Sequence, residues 1–384
     1  MGTSTDNASP NHYDVIVLGV GGMGSATICE LAERGLKVLG VDRFSIPNQM
    51  GSSHGATRII RMAYYQEPYY VKLVQQAYDL WRKLEEKSGE HLLAITGSID
   101  AGYEDSEIFL GSKRSCEEHN LPHEILNARQ VAEKFPGYNL PDDIYSVYQP
   151  DGGVLFAEKC IDAFIRLAKE NGAEIHDHEQ VLDFESNDGS VKVITDKGEY
   201  FANRLVVTAG PWFLKILKDL PKVATPERQV VGWFEPNDPE VFSPNHFPVF
   251  NLKVNEGHYY GFPVFDQTGF KFGKAHHLKE VVDPDNMNRD VSEADEQLTR
   301  EGLVRFFPEA AGKLLDKATC IYTNTPDEHF VIDLLPGTSN VYFAGGFSGH
   351  GFKFCSVIGD IMADLAQHGS TKYDIDLFKL SRFE

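Results

Sequence analysis

The segment YDVIVLGVGGMGSATICELAERGLKVLGVD, near the amino terminus, constrains the fold of this chain more than any other. Residues 13–19 form a continuous apolar run ending in glycine, the pattern of a buried parallel strand. Gly19-Val20-Gly21-Gly22-Met23-Gly24 follows as GxGxxG and feeds a helix that Gly35 ends. Residues 37–42 are a second short strand closing on Asp42. In such a unit the first glycine allows the tight turn and the second lets the backbone approach a pyrophosphate. The third lets the helix pack close to the strand. Phosphates sit at the helix N-terminus, where unpaired N–H groups and the positive dipole end favour an anion. Asp42 stands where an acid can hold ribose hydroxyls. A glycine turn alone carries little weight. Strand, turn, helix, strand and acid in order predict a dinucleotide site made by Gly19, Gly21, Gly24 and Asp42.

With 384 residues the chain has room for two to three domains. After the cradle comes the glycine- and serine-rich loop NQMGSSHGATR, then a helical pattern over 69–86. Residues 94–148 alternate short strands with two helices, and 152–172 read as a helix. Residues 192–212 read as a hairpin running into a buried strand. The stretch 226–275 is rich in aromatics, glycine and proline with short alternating runs, which predicts an antiparallel sheet with one apolar face. Residues 292–309 form a capped amphipathic helix. NVYFAGG near the end is another buried strand, followed by a glycine turn and a helix over 352–369. No repeat or low-complexity linker separates these parts, so the domains are expected to be woven together.

Charge excludes some functions. Against 36 basic residues stand 57 acidic ones, a net charge of −21, unsuited to a nucleic acid backbone or an anionic membrane surface. The five cysteines form no CxxC pair and no zinc-like spacing with histidine, so no metal is expected and a reducing, cytoplasmic setting is. There is no apolar run of membrane-spanning length. The first dozen residues lack the regions of a signal peptide and read as a frayed tail.

The cradle does not choose between nicotinamide and flavin. The C-terminal NVYFAGGFSGHGFKF does bear on it, because a second glycine loop and helix start, with Gly349 and Lys353, lie far from the first cradle. A helix N-terminus aimed at the N1–C2=O edge of a flavin stabilises the charge that collects there on reduction. A nicotinamide enzyme has no need of one.

These segments, with GSSHGATRIIR (51–61), GHYYGFP (257–263), CIYTNTPDEHFVID (320–333) and GFSGHGFKF (346–354), resemble the monomeric sarcosine oxidase family of covalent flavoproteins, which includes N-methyltryptophan and pipecolate oxidases. They occur in the family's order and span nearly the whole chain. The resemblance implies α/β and α+β architecture: a Rossmann-like FAD-binding domain (12–88, 149–225, 319–384) interleaved with a substrate domain on a mainly antiparallel sheet (89–148, 226–318). It implies a monomeric enzyme that oxidises a small secondary amino acid at its C–N bond, releases an imine that hydrolyses, and reduces O₂ to H₂O₂. Rival readings keep the flavin: a dehydrogenase with another electron acceptor, or a catalytically silent flavin-binding protein.

The same resemblance assigns residues. Cys320, at the start of an apparent strand and by itself either an inert buried thiol or a reactive one, matches the cysteine that tethers FAD through its 8α-methyl. Arg61 and Lys353 match the pair that binds the substrate carboxylate, a planar fork and a point charge. Lys271 alternates with Phe270 and Phe272 on a strand and matches a lysine that activates oxygen. The family histidine that follows falls on His276 or His277, the spacing being one residue longer here. Tyr260 and Tyr322 match hydroxyls lining the site, and His54, Thr57 and Arg58 match residues beside the flavin ring. Asn251 departs from the family, standing where the sarcosine enzymes have an apolar residue. A polar amide there needs a partner and alters the amine substituent accepted.

Overall fold

A computed structural model describes residues 11–187, 189–265 and 268–384. The strand His12–Leu18 is apolar enough to be enclosed on both faces and lies at the centre of a mainly parallel sheet. Val38–Val41 and Glu199–Val207 flank it in parallel, with Glu174–His176 and Val341–Gly345 outside them. Helices Gly22–Glu33, Tyr69–Ser88, Ala157–Glu170 and Cys355–His368 pack into one apolar core. Trp81 is fully buried there, and its indole N–H donates to the Lys353 carbonyl at 2.8 Å, tying that helix to the C-terminal glycine loop. The expected hairpin is Ser190–Thr195 with Glu199–Val207, whose last residues enter the buried sheet.

A second sheet has the order Leu314–Asn324, Thr225–Phe234, Phe270–Ala275, Gly257–Phe262, Val249–Val254, Ser98–Tyr103, Ile144–Gln149, Glu124–Asn127. Neighbours run antiparallel except Ser98–Tyr103 and Val249–Val254, which are parallel. Its two faces differ because strand side chains alternate. Phe234, Phe250, Leu252, Tyr259, Phe270 and Phe272 form a core with Leu303 and Phe306 of the helix Glu293–Phe306. That helix starts at a capping box between Ser292 and Asp295, as its sequence predicted. The other face points at the parallel-sheet unit. Gly273, Tyr260, Asn251 and Asp100 lie in one cross-strand row on it.

Two local expectations are corrected. The stretch 152–172 begins with a strand, Gly153–Phe156, before the helix Ala157–Glu170. It pairs with Thr57–Ile60 and Leu93–Ile95 in a small sheet, so tertiary partners override the helical reading. Cys320 does not open its strand. Pairing with Thr225–Phe234 begins at Leu314, and the exposed Asp316 and Lys317 of this edge strand disguise its start. Of the expected frayed tail, residues 1–10 lie outside the described residues. Among the described residues, no helix is long and apolar enough to cross a membrane.

Candidate active site

A continuous cavity of about 470 Å³ lies between the parallel-sheet unit and the polar face of the second sheet, reaching from Asp42 past the glycine turn to Asn251 and His258. At the first end, packing explains two of the motif's glycines. A Cβ on Gly24 would sit 1.9 Å from the Gly19 carbonyl oxygen, and one on Gly19, whose φ is +88°, would sit 2.6 Å from Ala209 Cα. Beyond Gly21 the nearest atom is Ser53 Oγ, 3.8 Å from where a Cβ would be, so this backbone is open to the cavity. The helix Gly22–Glu33 has no cap from its own N-cap residue, Gly21, and no acid in its first turn, and its first N–H meets Ser53 Oγ at 3.3 Å. Asp42 is oriented by two backbone donors, Val20 N–H at 2.8 Å and Phe44 N–H at 2.9 Å. Burial pushes its carboxyl up, against those two bonds. An open helix N-terminus, free space over Gly21 and a fixed carboxylate fit a dinucleotide.

The loop after Asp42 carries His54, Thr57 and Arg58, and Arg58 locks it. Its guanidinium donates to the carbonyls of Ser52, His54 and Thr57 at 2.7, 2.5 and 2.7 Å. Glu158 accepts from the N–H groups of Gly55 and Ala56. His54 is buried, and its Nε2 has no partner among the described residues. Burial first, then Arg58, pushes its pKa down to about 4. Lys271 reaches this loop from the sheet and donates to Gly55 O at 2.6 Å, Thr57 O at 2.9 Å and Thr57 Oγ1 at 3.0 Å. Burial pushes its ammonium well below the ordinary lysine range. Cys320 lines the same space. Burial raises its thiol while Arg58 and Lys271 pull it back down.

Tyr260 and Tyr322 also line the cavity, and glycines make room for both rings. A Cβ on Gly273 would lie 2.6 Å from the Tyr260 ring, and one on Gly349 would lie 2.5 Å from the Tyr322 ring. Burial pushes both phenols up.

At the far end, Lys353 is buried and donates to His350 O at 2.7 Å. Arg61 is buried between Tyr64 and Tyr65, and it donates to Ala63 O and to Gln66 Oε1. Asp100, which the sequence reading missed, lies behind Arg61 with Oδ2 at 3.3 Å from Nη1. It is also the partner that Asn251 needed, accepting its Nδ2–H at 2.8 Å.

The structure separates the two histidines. His276 lines the cavity at the end of Phe270–Ala275, with Nδ1 at 3.0 Å from Glu227 and Nε2 at 3.5 Å from Glu328. His277 turns the other way and bonds Asp295 at 3.0 Å, beside Arg228. Hydrogen bonds to Glu227 and Glu328 raise the His276 pKa from 6.5 to about 9. A histidine raised on folding stabilises fully below its unfolded pKa of 6.5, and that contribution is lost as pH rises through about 9. The melting temperature is therefore expected to fall as pH rises from 6.5 to 9, and to fall less in His276→Gln. Differential scanning calorimetry across that range checks this, and parallel curves for the two proteins would refute it.

Sequence reasoning missed Asp100, Glu158, Glu227 and His258. For Asp100 a signal was present, a lone carboxylate in the otherwise uncharged strand SIDAGY.

Comparison with known proteins now adds to this geometry. Residues 14–365 match the family described as FAD dependent oxidoreductase. The chain is 42% identical over 376 residues to a monomeric sarcosine oxidase of Bacillus sp. (strain NS-129), covering 97% of each chain. It is 37% identical over 373 residues to an N-methyl-L-tryptophan oxidase of Yersinia pestis (strain Pestoides F), covering 97% of this chain and 99% of the other. Among solved structures it is similar to NikD, an amino acid oxidase essential for nikkomycin biosynthesis. That match has a TM-score of 0.85 at 26% identity, covering 96% of this chain and 97% of that one.

Proposed function

Because the chain belongs to the FAD dependent oxidoreductase family, we propose that it is an oxidase of a small secondary amino acid, N-methyl or cyclic, that passes electrons to O₂. Bound FAD supplies a two-electron acceptor for a hydride equivalent from the carbon beside the substrate nitrogen, and through it O₂ becomes H₂O₂. The imine product hydrolyses in water. The observation that carries the reading is the burial of two cations, Arg61 and Lys353, at the far end of the cavity that begins at the dinucleotide cradle.

Gly19, Gly21, Gly24, Asp42 and Thr57 would hold the cofactor at one end and the Gly349 loop at the other, with Cys320 as its covalent anchor through a thioether to the 8α carbon. Arg61 presents a planar guanidinium to the substrate carboxylate, and Lys353 adds a charge whose ammonium has one acceptor among the described residues, His350 O. Tyr260 and Tyr322 wall the reacting end and exclude water from it. His276 borders the cavity and is held protonated between Glu227 and Glu328, which fixes its ring there. His54 stays neutral and Arg58 holds its loop in place. Lys271 offers a fixed charge where oxygen gains electrons. The substrate nitrogen must lose its proton before its lone pair can assist, and no protein base strong enough to form a carbanion is required. The enzyme would work as a monomer in the cytoplasm, a setting in keeping with five cysteines that pair into no disulfide.

The purified protein should be yellow. Anaerobic addition of a secondary amino acid should bleach it, and air should then release peroxide. After acid precipitation the colour should stay in the pellet, and in Cys320→Ser it should move to the supernatant. A colourless protein, or one that no secondary amino acid bleaches, would remove the reading. A yellow supernatant from the wild type would remove only the Cys320 anchor.

A further inference from the structure

We propose that the site selects substrates whose substituent against the strand Val249–Val254 carries a neutral hydrogen-bond donor, a hydroxyl or amide N–H, and that Asp100 imposes this choice by fixing the amide of Asn251. The proposal rests on the reading of this site as a secondary amino acid oxidase and names a substrate class within it.

The orientation of the amide follows from its partner. Asp100 is 1% exposed and surrounded by donors: Asn251 Nδ2 at 2.8 Å from Oδ1, Ser112 Oγ at 2.8 Å from Oδ2, and Arg61 Nη1 at 3.3 Å from Oδ2. A guanidinium does not deprotonate, and buried without a countercharge it would be costly. Asp100 is that countercharge, and an ionised carboxylate only accepts. It therefore takes the N–H end of the Asn251 amide and leaves the carbonyl oxygen as the end presented to the cavity that Asn251 lines. That oxygen has no protein donor among the described residues.

A second polar atom faces the same end. His258 precedes Tyr260 by two residues on one strand, so both share a face, and Tyr260 stands opposite Asn251 in the sheet register. His258 Nε2 is buried and has no partner among the described residues. Burial holds the imidazole neutral, with its pKa pushed down to about 3. A purely alkyl substituent would desolvate both atoms and satisfy neither. A cationic substituent would enter a region that already holds Arg61 and Lys353. A neutral donor meets the Asn251 oxygen without either cost.

The test is kcat/KM of the purified holoenzyme on two size-matched pairs. N-(2-hydroxyethyl)glycine against N-propylglycine places the hydroxyl on the nitrogen. N-methylserine against N-methyl-2-aminobutyrate places it on the α-carbon. In one pair the hydroxyl member should be preferred by about tenfold, and the pair that responds identifies which substituent meets Asn251. Asn251→Leu, close in shape without the acceptor, should remove that preference. Asp100→Asn, whose amide can donate to Asn251 and turn it over, should remove it too, while Asn251→Leu alone decides if Asp100→Asn fails to fold. Altered packing would lower both members together and leave their ratio in place. Equal turnover within both pairs, or a ratio that survives Asn251→Leu, overturns this proposal and leaves the oxidase reading standing. Failure of all four compounds to bleach the enzyme overturns this proposal, and the oxidase reading falls with it only if no other secondary amino acid, N-methyl or cyclic, bleaches the enzyme.

Discussion

Replacing Lys271 by methionine is expected to slow the reaction of the reduced enzyme with O₂ by about 10²–10³-fold, and to leave reduction by the amino acid nearly as fast as before. The ammonium is buried, its hydrogens are taken by Gly55 O, Thr57 O and Thr57 Oγ1, and it lies 4.4 Å from the Phe262 ring centroid. Burial pushes its pKa down, while two carbonyl acceptors favour the protonated form. A charge held this rigidly away from water acts on a nearby forming anion far more strongly than a solvated lysine could. Methionine preserves the length of the side chain and removes the charge. The loop it contacted is still tied by Arg58 and Glu158, so its shape should survive. Stopped-flow measurement of the two half-reactions checks the result. Equal slowing of both would end the oxygen role.

Removing Asp100 is expected to be among the most damaging changes to stability outside the hydrophobic cores. Asp100→Ala leaves the Arg61 guanidinium buried without its countercharge, and losing one partner of a buried pair costs about 3–5 kcal/mol. Ser112→Ala, which deletes one hydrogen bond to the same carboxylate, should cost about 1 kcal/mol. The double change Asp100→Leu with Arg61→Met should recover most of the loss, because no charge is left stranded. Urea unfolding of the holoenzymes separates these outcomes. A loss for Asp100→Ala no larger than that for Ser112→Ala would mean that Asp100 is not the countercharge of Arg61.

What could be read from the sequence was what depends on neighbours along the chain. The cradle is local, and strand, turn, helix and acid follow one another with little between them. Lys271 was placed correctly against Phe270 and Phe272 because strand alternation is local too. Asp100 could have been singled out as the lone carboxylate of SIDAGY, but its role was not legible, since it depends on a parallel pairing with Val249–Val254, a strand 151 positions away at Asn251. The strand Gly153–Phe156 was hidden for the same reason, because its partners come from two distant segments. The two histidines were left undivided because His276 has a φ of +53°, which breaks the alternation at the strand end and sends His277 to Asp295.

The pleat of the second sheet assigns adjacent residues to different tasks. Phe250 and Leu252 pack among aromatic rings, while Asn251 between them faces the ligand space, and Tyr259 and Tyr260 divide in the same way. Asp100 apart, chemical preference and fold strength are therefore separately heritable. A lineage descending from this enzyme can exchange residues along the inward row and acquire a new diet of amines, while the outward row continues to hold the protein together.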